Sequence, residues 1–224
     1  MLLAPVGGGE NPAIRKLARQ NVPLVFVDRR AAGVEADTVL SDNVGGAYLA
    51  TKHLIERGHE RIGIVLGIPG ATTTEERYLG YRKALEEAGI SVSEELVAYG
   101  GYRVEGGREA TAKLLALDPP PTAIFSTNNL MTVGVLQELF ARGVRIPDQV
   151  AVVGFDDLEW AKMITPALTV VAQNPYEIGQ KALLTLLKRM NEGLSKEPLT
   201  IRVPVELRAR KSVSTSKSGR KERA

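Results

Sequence analysis

The run Ile62-Gly-Ile-Val-Leu66 carries no polar side chain, and a segment of helical period, 73–88, follows it before the next β-rich run at 96–100. A strand that is apolar at every position is buried on both faces, which is the pattern of a parallel sheet covered by helices. The same alternation extends in both directions. Strand candidates lie at 2–5, 23–28, 61–66, 96–100, 122–126, 150–154, 168–172 and 201–208, and helix candidates at 11–20, 43–57, 73–88, 104–116, 129–142 and 175–192. Strand, helix, strand repeated this often implies right-handed crossovers and an α/β fold. The punctuation agrees. Asp42 can cap the helix that starts at Asn43, Gly58, Gly89 and Gly143 stand where helices end, and Pro147 and Asp148 turn the chain into the next strand.

The chain has 224 residues, 44% of them apolar and 25% charged, which fits a folded globular protein. No apolar run approaches the roughly 20 residues needed to cross a bilayer, and residues 1–10 lack the basic flank and apolar stretch of a secretory signal. The absence of Cys excludes disulfides, thiolate metal sites and Cys nucleophiles, and His53 and His59 are too few for a His-rich zinc site. The chain reads as cytoplasmic, with no membrane association, no metal and no cofactor. The net charge of +3 is misleading, because residues 208–224 alone hold seven Lys/Arg against one Glu. The body is mildly acidic, so its charge does not argue for nucleic-acid binding.

The strands divide unequally. About five (61–66, 96–100, 122–126, 150–154 and 201–208) fall in or return to a middle block, leaving 2–5, 23–28 and 168–172 for a second lobe. Three strands make a thin core with open edges, and the chain starts almost inside one of them, so the first lobe is expected to lack its opening βαβ units.

Several strings carry a family resemblance. They are Val22-Pro-Leu-Val-Phe-Val-Asp-Arg29, Ser41-Asp-Asn43 with Gly45, Gly58-His-Glu-Arg-Ile62, Arg77-Tyr-Leu-Gly-Tyr81, Asn128-Asn129, Val153-Gly-Phe-Asp-Asp157, Pro166-Ala-Leu-Thr169 with Gln173, and Glu206-Leu-Arg-Ala-Arg210. In this order and spacing the chain resembles the effector-binding part of the LacI/GalR family of bacterial transcription regulators. The resemblance implies a two-lobed, periplasmic-binding-protein-like (type I) α/β fold with parallel sheets, an incomplete N-terminal lobe and crossovers near Leu40, Thr165 and Ser195. It divides the chain into a partial first lobe (1–40 and 167–195), a second lobe (41–166 and 196–212) and a basic disordered tail (213–224). Two departures stand out. The family's helix-turn-helix reader is absent, and Asn129 and Asn174 replace the residues usual at their positions.

In open α/β sheets ligands bind beyond the carboxyl ends of the strands. That rule selects Asp28, which ends a strand, Asn128 and Asp156, which follow strands, and Arg77 and Thr73 in the first turns of helix 73–88. An Arg fork with Asp and Asn acceptors suits a polyol, and Tyr102 could stack on an apolar ring face. In relatives, the resemblance implies, the positions of Arg77, Asn128 and Asp156 contact sugars or purines, and that of Asp28 lines the cleft. Other readings compete. Arg77 could pair with Glu76 on a helix surface, Asn128 could cap helix 129–142, and Asp156 and Asp157 could cap a short helix near Leu158. Tyr102 could simply pack, Gln173 could brace a hinge or touch ligand, and His59 reads as fixing the helix-to-strand turn. Gly7-Gly-Gly9 lacks the Lys-Ser/Thr of a phosphate loop and reads as a flexible turn.

No catalytic residue is expected. There is no Gly-x-Ser-x-Gly, no Cys, and the adjacent carboxylates Asp156 and Asp157 cannot face each other across a bond. The resulting expectation is an effector-sensing, dimerising portion of a regulator. It would bind a small molecule, a sugar or sugar derivative in preference to a purine, and reach operator DNA only through a reader outside this chain. The alternative is a periplasmic sugar-binding protein of a transport system.

Overall fold

The elements follow the expected alternation in the computed structural model, which describes residues 1–6, 9–192 and 197–216. In chain order they are β1 (Leu2–Leu3), α1 (Pro12–Arg19), β2 (Val25–Val27), β3 (Asp37–Ser41), α2 (Asn43–Ile55), β4 (Ile62–Leu66), α3 (Thr72–Glu87), β5 (Val97–Tyr99), α4 (Val104–Leu115), β6 (Ala123–Ser126), α5 (Asn129–Ala141), β7 (Ala151–Phe155), α6 (Trp160–Met163), β8 (Thr169–Ala172), α7 (Pro175–Glu192), β9 (Thr200–Val203) and β10 (Glu206–Arg208). Two sheets form. The first has the order β1-β2-β3-β9 and is parallel throughout. The second has the order β10-β8-β7-β6-β4-β5 and is parallel except for the β10–β8 edge pair.

Strand periodicity sorts the core of the second lobe into two layers. Ile62, Ile64 and Leu66 of β4 face Leu54, Tyr81 and Leu85 from α2 and α3, while Val65 faces the other way, toward Leu114 of α4 and Val135 and Leu139 of α5. Gly80 lets α3 lie against α2, because a Cβ there would sit 2.2 Å from the Val44 carbonyl oxygen. In the first lobe, Phe26 and Leu24 pack on Ile14 of α1, and Val25, Val39 and Val203 pack on Ile178 and Ala182 of α7. Asp37, only 3% exposed, accepts from Arg189 Nε (2.6 Å) and Nη2 (2.8 Å) and from the Leu199 amide (2.7 Å), tying β3 to α7. None of the helices among the described residues is long and apolar enough to cross a membrane.

The division between lobes differs from the sequence expectation in three ways. Strand 168–172 belongs to the second lobe, where β8 pairs in parallel with β7. The run 201–208 is two strands in two sheets, because Pro204 has no amide to continue a ladder and the chain changes lobes there. β3, which the sequence reading did not identify as a strand, is fully buried and lies in the middle of the first sheet. The crossings therefore fall after Ser41, after Ala172 and at Pro204, instead of near Thr165 and Ser195; residue 195 itself is outside the described residues.

The start of the expected tail is also ordered. Val213 is buried, and the Ser216 amide donates to the Arg57 carbonyl at 2.7 Å. Ser212 ties this segment to β7 and β8, donating to the Val152 carbonyl (2.6 Å) and accepting from the Thr169 amide (2.8 Å). His59 serves the same segment, with Nε2 at 3.0 Å from the Ser214 carbonyl and Nδ1 at 3.0 Å from Thr122 Oγ1. Residues 217–224, the rest of that tail, and Gly7 and Gly8 of the expected glycine turn are outside the described residues.

Candidate functional site

Residues that follow four strands, β2, β6, β7 and β8, line one hollow of about 450 Å³ between the lobes. Asp28 enters it from the first lobe, as do Pro175, Ile178 and Gly179 at the start of α7. Asn129, Asp156, Asp157 and Leu158 enter it from the second, and Gln173 sits on the crossing between the two. Its size falls in the usual range of small-molecule sites, about 300–1,000 Å³.

The backbone turns sharply at two residues that face the hollow, Asp28 and Asp156, and at Tyr102, which does not. Asp28 (φ 67°), Tyr102 (φ 59°) and Asp156 (φ 84°) are all left-handed, a conformation that costs a non-glycine residue about 1–2 kcal/mol. The Asp28 amide donates to the Val39 carbonyl at 3.0 Å and the Asp156 amide to that of Val171 at 2.9 Å, so both turns are fixed to neighbouring strands.

Asp156 anchors a polar chain. Its Oδ2 accepts from the Asn129 amide at 3.2 Å, its Oδ1 accepts from Gln173 Nε2, and Gln173 Oε1 in turn accepts from the hydroxyl of the fully buried Ser41. Gln173 thus braces a crossing and also faces the hollow. Asp157 has a different task. Burial pushes its carboxyl up, but hydrogen bonds from Arg210 (2.6 Å) and Arg208 (2.7 Å) outweigh that and hold it below the ordinary range.

Arg77 is buried, 3% exposed, and is not among the residues that line this hollow, although it lies close enough to Asp156 and Asp28 for their charges to act on it. Its Nε–H donates to Asn43 Oδ1 at 2.9 Å, its Nη1 donates to the Thr127 carbonyl, and the guanidinium lies 3.6 Å from the centroid of the Phe155 ring. Nη2 has no hydrogen bond among the described residues. Burial lowers the Arg77 pKa, and the charges of Asp156 and Asp28 act against that shift. The surface pairing with Glu76 does not occur, since Glu76 binds Arg202 instead (2.6 Å).

Thr73 and Tyr102 meet each other and not the hollow: the Tyr102 hydroxyl lies 2.7 Å from both Thr73 Oγ1 and Thr74 Oγ1. Gly67 leaves room for that ring, since a Cβ at Gly67 would lie 2.0 Å from it. Asn128 caps α5, accepting from the amides of Leu130 (3.0 Å) and Met131 (3.4 Å), and its neighbour Asn129 lines the hollow in its place.

Sequence reasoning missed Arg29, whose guanidinium lies 4.6 Å from the Tyr102 ring centroid. Its Nε is 3.3 Å from Asp28 Oδ2 without hydrogen-bond geometry, and so is buried with an unused donor. The start of α7 was also missed; a helix opening directly after the crossing at Gln173 was the available signal. Three carboxylates, Asp28, Asp156 and Asp157, and two side-chain amides, Asn129 and Gln173, line the hollow, and Arg208 and Arg210 already pair with Asp157; the set suits a small polar ligand. No group of three or more His, Asp or Glu side chains among the described residues could hold a metal.

A profile of the periplasmic binding protein-like domain matches residues 51–213. The HTH-type transcriptional repressor PurR of Pasteurella multocida is 35% identical over 195 residues, which is 87% of this chain and 58% of that protein. Among solved structures, the transcriptional regulator CelR in complex with cellobiose superposes with a TM-score of 0.87 at 34% identity, over 94% of this chain and 64% of its own. A LacI family regulator from Enterococcus faecium with bound ribose superposes with a TM-score of 0.84 at 28% identity, over 96% of this chain and 80% of its own. These relatives are transcriptional regulators and not enzymes. The chain therefore belongs to the periplasmic binding protein-like family, among the effector-binding domains of LacI/GalR-type transcriptional regulators.

Proposed function

We propose that this chain is the effector-sensing portion of a cytoplasmic transcriptional regulator, dimeric in its intact form, whose operator DNA is engaged by a reader outside the chain. A small polar ligand, a sugar or sugar derivative, occupies the hollow between the lobes and favours one lobe orientation. That preference is passed on as a change in operator affinity, a coupling typically worth about 1–3 kcal/mol and reciprocal by thermodynamic linkage. The observation that carries this reading is the hollow itself, where strand-end residues of both lobes bring Asp28, Asn129, Asp156 and Gln173 together. The cellobiose and ribose bound to two of the relatives support a sugar.

The similarity to PurR repressors favours a second ligand class, a nucleobase, which would use the same amide and carboxylate partners. A thermal-shift screen of sugars and nucleobases tests both. A ligand at 100 times its dissociation constant adds about 2.7 kcal/mol to stability. That is a rise of roughly 5–10 °C for a domain of this size. Arg77→Met is expected to abolish the shift given by the hit while leaving the protein folded. An undiminished shift in that variant removes Arg77 from the site, and a screen with no hit from either class counts against the reading as a whole.

A further inference from the structure

Arg77 is tied to the opposite lobe by a relay that runs away from the hollow. Its Nε–H donates to Asn43 Oδ1 at 2.9 Å, and Asn43 Nδ2 donates to Glu76 Oε2 at 3.0 Å. Arg202 closes the relay with a bidentate pair, Nη1 to Oε2 at 3.0 Å and Nη2 to Oε1 at 2.6 Å. Asn43, Glu76 and Arg77 stand on α2 and α3 of the second lobe, whereas Arg202 stands on β9 of the first. Asn43 is fully buried and the Glu76 side chain is 15% exposed.

We propose that the Arg202–Glu76 pair is a latch between the lobes, and that Asn43 makes it a positioning device for Arg77. This rests on the proposed function, with Arg77 as a guanidinium that acts on the ligand. The Asn43 amide is one rigid plane, with its oxygen on Arg77 and its nitrogen on Glu76, so neither contact can turn without moving the other. Glu76 is saturated while Arg202 is present. Separation of the lobes removes Arg202 and leaves a largely covered carboxylate beside Arg77, the next residue along the same helix. An uncompensated buried charge is costly, so the carboxylate turns toward the remaining cation and draws Arg77 away from Phe155 and the Thr127 carbonyl. Arg202 and Arg77 thus share one network. A ligand that holds Arg77 in place favours the latched arrangement, and latching preorganises Arg77 for the ligand. A second contact between lobes lies near the latch, from the Arg30 amide to Thr72 Oγ1 at 3.1 Å.

The test needs no ligand. The chain has no cysteine, so Lys16→Cys on α1 and Lys83→Cys on α3, both exposed positions, carry a pair of spin labels that reports lobe separation. The Arg77 Nε–H signal in a nitrogen-15 spectrum reports the guanidinium. In Arg202→Met we expect the distance distribution to broaden toward longer separations and the Arg77 Nε–H to exchange with solvent at least tenfold faster. Glu76→Gln should do the same, and the double variant should be no worse than either single one, because the two residues act as one unit. Arg202→Lys should restore most of both readouts, and Arg82→Met, elsewhere on α3, should alter neither. An unchanged distance distribution in both Arg202→Met and Glu76→Gln overturns the latch. A broadened distribution with unchanged Arg77 exchange overturns the positioning role. If Arg202→Met does not fold, Glu76→Gln and Arg202→Lys decide the matter. An empty ligand screen bears on the proposed function alone and leaves these readouts standing.

Discussion

At position 28 the usual ranking of alanine over glycine should reverse. Asp28 has φ 67°, in the left-handed region, and its amide is held by the Val39 carbonyl, so the backbone cannot relax. Its carboxylate accepts no hydrogen bond among the described residues and makes only a 3.3 Å ionic contact with Arg29, with side chains 34% and 22% exposed. Deleting that carboxylate costs about 0–1 kcal/mol, and equally in both variants. Alanine then keeps the left-handed penalty of about 1–2 kcal/mol, which glycine escapes. Glycine gives back about 0.4–1 kcal/mol through the greater freedom of its unfolded chain. Asp28→Gly should therefore exceed Asp28→Ala in stability by roughly 0.5–1 kcal/mol, although glycine ordinarily trails alanine by about that amount. Urea unfolding followed by circular dichroism, with equal m-values, measures the difference. Both variants should also lose the ligand-induced thermal shift, since the strain serves a side chain that faces the hollow. Alanine equal to or better than glycine would refute the reasoning, because the strain would then not exist in solution.

Two further perturbations test the packing and the charge state of the fold. Gly80→Ala should lower stability by about 1–3 kcal/mol despite alanine's better helix propensity, because its Cβ would meet the Val44 backbone oxygen at 2.2 Å; an unchanged melting temperature would show that α2 and α3 are not in close contact. Burial, aided by the charge of Arg57, lowers the His53 pKa from 6.5 to about 4. The folded state therefore holds His53 neutral while the unfolded state protonates it, and stability present above pH 6.5 is lost as the pH falls toward 4. For this one buried group that is on the order of 1–2 kcal/mol by pH 5. His53→Leu should flatten most of this slope in urea titrations at pH 7 and pH 5, with a remainder from His59, whose pKa burial also lowers. An unaltered slope in the variant would assign the pH dependence elsewhere.

The helices and the second lobe were legible because their signals are local. A run such as Ile62-Gly-Ile-Val-Leu66 announces a strand covered on both faces, and Asp42 announces a cap that it fulfils by accepting from the Gly45 amide at 2.9 Å. Which sheet a strand joins is not local, and there the reading failed. Thr169–Ala172 reads identically in either lobe, and only its pairing with β7 assigns it. β3 escaped notice because Asp37 and Ser41 bracket it and look like surface residues, although one is matched by Arg189 and the other by Gln173. At the site, the rule of looking past strand ends found Asp28 and Asp156, and it chose Asn128 where its neighbour Asn129 lines the hollow. It could not find Arg29, whose neighbour is a ring far along the chain, nor the relay behind Arg77, whose last member lies on a strand of the other sheet.

The three passages between lobes also fix an order of events during synthesis. The five strands β4 to β8 of the larger sheet are contiguous in the chain, so most of that lobe can close as soon as residue 172 clears the ribosome. The smaller sheet begins earlier and finishes later. Its central strand β3 waits for β9, and Val25 and Val39 wait for α7 to cover them. Although domains usually mature in the order they are made, here the smaller lobe must stay incomplete until α7 and β9, which follow the strands β4 to β8, have emerged. Residues 25–41 thus stay open to chaperone capture and proteolysis for longer than the larger lobe does.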